Sequence, residues 1–195
     1  MVVDKSFFMN LALEEAWRYQ GLTYPNPAVG CVVVGSNFEL LAIEAHHQAG
    51  KPHAEVMALQ SAYFKLTQDK NILKLQKSSD IHEYLILNHN NRFEGVSLYS
   101  TLEPCSHIGK TPSCATLISK LNIKKVFVGS LDTNKIASNG NEILSLNGVD
   151  IKSGVLKDEC DKLLYPFQKF NSDRFVFFKW AQRLNGSSDD GIVSS

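Results

Sequence analysis

A chain of 195 residues, 44% hydrophobic and 21% charged, has the size of one globular domain, or of one domain with a fragment attached, and holds enough apolar side chain to exclude general disorder. Twenty basic and twenty acidic residues cancel, so no broad positive field exists to hold a nucleic-acid backbone or an anionic membrane. The longest apolar run, Ala28 to Val34, falls far short of the about 20 residues that cross a bilayer, and Phe7 to Leu13 runs into Glu14 and Glu15 without the basic lead of a secretory signal, so the expected location is the cytoplasm.

In chain order, Asp4 is placed to cap a helix whose apolar residues Phe8, Leu11, Ala12 and Ala16 recur at helical spacing, with Trp17 closing it. Turn residues from Gly21 to Pro27 lead into a β-branched run, Val29 to Val34, expected to be a buried strand. Leu40 to Ala45 pairs with it across the turn Gly35-Ser36-Asn37. Pro52-His53-Ala54-Glu55 opens a helix that buries Val56, Met57, Leu59 and Ala62. Residues 66–94, rich in Lys, Gln, Asn, Asp and Ser, read as a polar insertion lying outside any pocket, with a short strand at Tyr84 to Leu87. A strand over Val96 to Ser100 follows, then a helix from Thr111-Pro112 to about Lys120, with Thr111 as cap and proline at the first position. Lys125 to Gly129 is a strand, Asn141 to Leu146 a short helix and Val149 to Lys152 a strand. Asp158 to about Phe170 is helical, with Pro166 expected to kink or end it, and Phe175 to Phe178 is a last strand. Strands alternating with helices after the first hairpin predict a layered α/β fold with a partly parallel sheet.

In a reducing compartment the four cysteines point to metal ligation or catalysis before disulfides. Cys31 lies in the β-branched run and reads as a small inert core thiol, and Cys160 has no visible partner. Cys105 and Cys114 differ, because each falls near a predicted helix start, as does His53. One histidine and two cysteines are three zinc ligands of suitable softness, leaving the fourth tetrahedral position for water, which is a catalytic rather than a structural arrangement. Helix N-termini aimed at the metal favour thiolate over thiol. Two residues apart in mid-helix, His53 and Glu55 would point apart, since each residue turns the helix by about 100°. In a first turn aimed at the metal both reach one site, with His53 a ligand and Glu55 off the metal, free to move protons between water and a leaving amine. A lone His-x-Glu or a lone cysteine pair carries little weight. Both together, the cysteines following a strand and opening a helix, carry much more.

H-x-E joined to P-C-x-x-C is the pattern of zinc deaminases that act on nucleobases. Here the cysteines stand further apart, in Cys105-Ser-His-Ile-Gly-Lys-Thr-Pro-Ser-Cys114, and this loop resembles that of the riboflavin-biosynthesis deaminases, the diaminohydroxyphosphoribosylaminopyrimidine deaminases. Tyr24-Pro-Asn-Pro-Ala-Val-Gly-Cys31 is similar to their N-P-x-V-G stretch. His46 to Glu55 resembles H-x-x-A-G-x-P-H-A-E, and Thr101 to Cys114 follows T-L-E-P-C-S-H-x-G-K-T-P-x-C, with the likeness extending over roughly residues 6–170. The resemblance implies a cytidine-deaminase-like three-layer α/β/α sandwich with a mixed central sheet and one Zn²⁺ per chain on His53, Cys105 and Cys114. It implies Glu55 as the proton relay, and hydrolytic loss of the 2-amino group of a pyrimidinone ribosylamino phosphate as ammonia. It also implies substrate contacts from Asn26, His46, His107, Lys110, Thr111, Asp132 and Asn134. The bland readings beside these are turn formation for Asn26, Asp132 and Asn134, and helix capping for Thr111.

Many members of this family carry a reductase domain after the deaminase. Residues 1–172 are therefore expected to be the deaminase domain, and 173–195 the start of a reductase. Within it Phe175 to Gly186 resembles F-V-x-x-K-x-A-x-S-L-D-G, with Arg183 and Asn185 in place of the usual Ser and Asp. As the chain ends at Ser195, neither reductase activity nor NADPH is expected. Glu44, where a small residue is usual, is expected to place an acid near the pocket mouth. The expected partner is a small pyrimidine ribosylamino phosphate, with no nucleic acid and no membrane, and the resemblance implies a homo-oligomer. The competing functions are deamination of another nucleoside or a tRNA base, against which the zero charge and cysteine spacing argue, and a non-catalytic zinc module, against which Glu55 argues. Thiol-redox chemistry needs a tighter C-x-x-C pair.

Overall fold

The computed structural model describes residues 5–106, 111–132 and 138–172. Its elements are α1 (Lys5–Trp17), β1 (Gly30–Val34), β2 (Leu40–Ala45), α2 (Ala54–Thr67), α3 (Ser78–Asn88), β3 (Ser97–Leu102), α4 (Cys114–Lys120), β4 (Lys125–Ser130), α5 (Gly140–Leu146), β5 (Asp150–Ser153) and α6 (Lys157–Ser172), with a 3₁₀ turn at Ile72–Lys74. The sheet order is β2-β1-β3-β4-β5. β1 is antiparallel to both β2 and β3, whereas β3, β4 and β5 are parallel to one another. As β2 and β3 both oppose β1, four of the five strands run the same way, so the segments leaving β2, β3 and β4 and the segment entering β1 all meet at one sheet edge.

Side-chain alternation along the strands builds the layers. Cys31 and Val33 of β1, Leu98 of β3, and Val126 and Val128 of β4 share one core with α2, α3 and α4. Val32 and Val34, Tyr99 and Phe127 share the opposite core with Phe8, Met9, Ala12 and Leu13 of α1 and with Cys160 and Leu163 of α6. Tyr99 and Phe127 stack at 4.3 Å between centroids. Helices therefore cover both faces of a mixed sheet, as the family resemblance implied. Gly30 lets α1 approach, since a Cβ there would fall 1.9 Å from the Ala12 carbonyl oxygen. Among the described residues no helix is long and apolar enough to cross a membrane.

Three local expectations are corrected and one is narrowed. Tyr84 to Leu87 is helical, within α3, because Ile81 and Leu85 sit four apart and both face the core. The polar stretch 66–94 is not a peripheral insertion, since Ile72, Ile81, Leu85 and Phe93 are fully buried in the sheet's own core. Of the two outcomes expected at Pro166, a kink or an end, α6 does not end there; the bond forfeited is that of the Lys162 carbonyl, on an exposed flank where water can replace it. α4 begins at Cys114 and is capped by Ser113, whose hydroxyl accepts from the Thr116 N–H at 3.1 Å, so Thr111 is not the cap. Asp4 and the strand expected at Phe175 to Phe178 lie outside the described residues.

Candidate metal centre

His53 is the N-cap of α2, held extended at φ −69° and ψ 161°, with its carbonyl accepting from the Met57 N–H. Its ring thus stands off the helix end, and Glu55 follows in the first turn. Cys105 lies just past β3. The start of α4 folds back onto it: the Ala115 N–H and the Ser113 hydroxyl both donate to the Cys105 carbonyl, at 3.1 and 2.9 Å. The Cys114 N–H points at the Cys105 sulfur, 3.4 Å away.

His53 Nδ1 lies 3.6 Å from Cys105 Sγ and 3.4 Å from Cys114 Sγ. The three ligand atoms fall within 4.8 Å of one another. Ligand atoms at zinc bond lengths and tetrahedral angles stand about 3.5–3.8 Å apart, so this triangle fits zinc through Nδ1 and two thiolates. Thr111 Oγ1 is 3.4 Å from His53 Nε2, the ring nitrogen left over, which is the place of a residue that orients a metal-bound histidine.

The electrostatics agree. The Cys105 thiol is pulled down to about 4, first by the hydrogen bond with Cys114 and then by His53, and Cys114 is pushed up in turn, so the pair holds one thiolate at Cys105. Burial disfavours charge on His53, yet its bond to Cys105 and the nearby Glu55 leave its pKa raised. Glu55 is 4% exposed, and burial raises its carboxyl to about 7. Its Oε2 is 3.7 Å from Cys114 Sγ, beside the ligands and not among them.

Of the residues expected to meet substrate, Asn26 and His46 are together. The Tyr24–Pro25 peptide before Asn26 is cis. His46 is 2% exposed and both its ring nitrogens are engaged: Nδ1 donates to the Pro52 carbonyl at 3.1 Å, and Nε2 is 3.0 Å from Asn26 Nδ2. A carbonyl can only accept, so Nδ1 carries the proton, Nε2 accepts, and the Asn26 amide nitrogen is the donor. Burial holds His46 down to about 4, hence neutral. Asp132 stands after β4 with its N–H on Glu103 Oε2 at 3.2 Å. His107, Lys110 and Asn134 lie outside the described residues.

Glu44 accepts from the Ser61 hydroxyl of α2 at 2.6 Å and so braces that helix against β2. Cys31 and Cys160 are buried with thiols pushed up, Cys160 to about 12, as inert core thiols are. Three residues near the centre escaped sequence reasoning. Ser113 caps α4, and its signal was a serine directly before a cysteine-led apolar run. His82 of α3 is buried, its ring held neutral by desolvation, in a stretch whose polarity hid it. Glu103 stood in the quoted motif without a role.

A family model described as the cytidine and deoxycytidylate deaminase zinc-binding region matches residues 3–130. The riboflavin biosynthesis protein RibD of Aquifex aeolicus is 36% identical over 187 residues, which is 94% of this chain and 44% of that protein. A diaminohydroxyphosphoribosylamino-pyrimidine deaminase of Buchnera aphidicola is 34% identical over 164 residues, covering 84% of this chain and 92% of that one. The crystal structure of a Thermotoga maritima deaminase/reductase superposes with a TM-score of 0.71 at 34% identity, over 95% of this chain and 48% of that one. The chain thus spans less than half of the RibD length it matches, and nearly all of the Buchnera protein.

Proposed function

The chain belongs to the zinc-binding cytidine and deoxycytidylate deaminase family, in its riboflavin-biosynthesis branch, and on that premise we propose that it converts 2,5-diamino-6-ribosylamino-4(3H)-pyrimidinone 5′-phosphate and water to 5-amino-6-ribosylaminouracil 5′-phosphate and ammonia. The observation that carries this reading is a buried carboxylate, Glu55, set against a three-ligand triangle. A structural site closes all four positions with protein and has no use for such a carboxylate.

His53 Nδ1 and the Cys105 and Cys114 thiolates would hold the metal, which when bound supplies a Lewis acid that makes water acidic enough to attack at neutral pH. Glu55, with its pKa near 7, both accepts and returns a proton in that range. Its carboxylate takes one proton from the attacking water and passes it to the ring nitrogen next to the amine-bearing carbon as the C–O bond forms. It then carries the second water proton to the amino nitrogen, which departs as ammonia as the C–N bond breaks. No hydride moves, so NADPH has no part in this step.

Asn26, positioned by His46, is assigned to the base or ribose, and Asp132 and Asn134 to the ribose or phosphate. His107, Lys110 and Thr111 complete the substrate set, with Thr111 serving His53 as well. Residues 1–172 are the deaminase domain in this reading, and 173–195 stand outside it. The zero net charge supports a free small-molecule substrate over a nucleic acid, and the location and assembly proposed are the cytoplasm and a homo-oligomer. The test is ammonia release from the freshly made diaminopyrimidinone, with Glu55→Gln alongside. The variant is expected to keep its zinc and lose about 10²–10⁴ in kcat. A well-folded, zinc-loaded wild type that releases no ammonia refutes the substrate.

A further inference from the structure

Glu103 lies two residues before the ligand Cys105 and is 6% exposed. A buried carboxylate survives only with strong partners, and both of its oxygens have one. Oε2 accepts the Asp132 N–H at 3.2 Å and Oε1 accepts the Asn141 N–H at 2.9 Å. One side chain on the metal strand thereby holds both ends of the connection from β4 to α5. Its own N–H donates to the Ser130 carbonyl at 2.9 Å, which extends the β3–β4 pairing past Leu102.

The neighbours of Glu103 act on the same connection. The Pro104 carbonyl oxygen stands 1.6 Å from where a Cβ on Gly140 would lie, so only glycine fits there. The Ser106 hydroxyl donates to the Ser138 carbonyl at 2.5 Å. Asn139, the N-cap of α5, sits at φ +79° and offers no side-chain cap. The Glu103 carboxylate supplies that cap from another strand, with the charge that a helix start favours.

We propose that Glu103 is a positioning residue for substrate binding: it fixes Asp132 relative to the metal ligands by bonding both ends of the β4–α5 connection. This rests on the reading of Asp132 as a ribose or phosphate contact in a deaminase. The chemistry at Glu55 does not pass through Glu103, so its loss falls on KM and spares kcat.

The experiment compares wild type with Glu103→Gln, which sets an amide N–H₂ against a backbone N–H, and with Glu103→Asp, which keeps the charge but is too short to reach both amides. Glu103→Gln is expected to raise KM about tenfold to a hundredfold, as loss of a hydrogen bond to a charged group does, with kcat within about threefold and zinc content unchanged. Glu103→Asp is expected to fall between the two. Hydrogen exchange at the Asp132 and Asn141 amides should quicken at least about tenfold in Glu103→Gln while strand β3 stays protected. A zinc-loaded, folded Glu103→Gln protein with wild-type KM and unchanged exchange overturns the proposal, as does a loss confined to kcat. If Glu103→Gln fails to fold, the same two readouts on Glu103→Asp decide. An inactive wild type would remove the deaminase reading alone, since the exchange at the two amides judges the clamp without turnover.

Discussion

The contact between Thr111 and His53 sets a measurable share of zinc affinity. When zinc is held through Nδ1, which faces both sulfurs, the neutral ring carries its proton on Nε2, and Thr111 Oγ1, 3.4 Å away, is the acceptor. Thr111→Val keeps the shape and removes only that acceptor. Losing such a partner of a metal-bound histidine typically costs 10- to 100-fold in affinity. The bond here is long and Thr111 is half-exposed, so water can take its place and the low end applies: about tenfold, or about 1.4 kcal/mol. Chelator competition at fixed pH reads the zinc dissociation constant, and activity at saturating zinc reads the chemistry. A tenfold weaker constant with less than about a threefold change in kcat is the expected pair of results. Unchanged affinity would refute the orienting of His53 by Thr111 and return Thr111 to substrate contact alone, which a raised KM would register.

Two further predictions lie away from the metal. Leu85→Ala in α3 should cost about 2–5 kcal/mol in a denaturant titration, because Leu85 is fully buried in the sheet's core; a loss under about 1 kcal/mol would make residues 66–94 a true surface insertion. Asp161 accepts from Lys157 and from the Ser130 hydroxyl at 2.5 Å, and the Lys157 bond first, then Ser130, hold its carboxyl below the usual range. A lowered folded-state pKa contributes stability that is present above the unfolded-state value of about 3.9 and is lost as pH falls through the folded one. Asp161→Asn should therefore destabilise at pH 7 by less than about 1 kcal/mol, the group being partly exposed, and the difference should shrink as the pH is taken below about 3.9. A difference of equal size throughout would assign it to shape and not to charge.

What the sequence made legible follows from the range of the interaction concerned. The β1–β2 hairpin could be read because alternation and turn residues are local, and the strand expected over Leu40 to Ala45 is the one observed. The triangle His53, Cys105, Cys114 could be read because ligand chemistry restricts residue type so tightly. α3 could not, since Tyr-Leu-Ile-Leu in isolation satisfies either period and only Ile81, packed one turn earlier in the same core, decides for helix. The engagement of His46 was equally hidden, because its partners, the Pro52 carbonyl and the Asn26 amide, are set by where two loops cross. Glu103 is the same case: a carboxylate after a strand gives no sign that its partners are backbone amides of residues 132 and 141.

The wide cysteine spacing and the compact triangle have one physical explanation. The bonds that bring Cys114 to Cys105 come from Ser113, Cys114 and Ala115, at the start of α4, and end on the carbonyl and sulfur of Cys105 itself. That junction fixes the ligand geometry from its two ends. Closing a longer loop adds only a slowly growing entropic cost, so residues between the cysteines can be added without moving a ligand. The added residues then start and finish beside the metal, at the edge where β2, β3 and β4 all end. His107 and Lys110, which fall between the two cysteines in the sequence and are substrate contacts in the proposed reading, are then not needed to hold the metal. Ligation is thus assigned to the junction, which leaves the relation of His53, Glu55 and the two cysteines independent of how many residues separate Cys105 from Cys114.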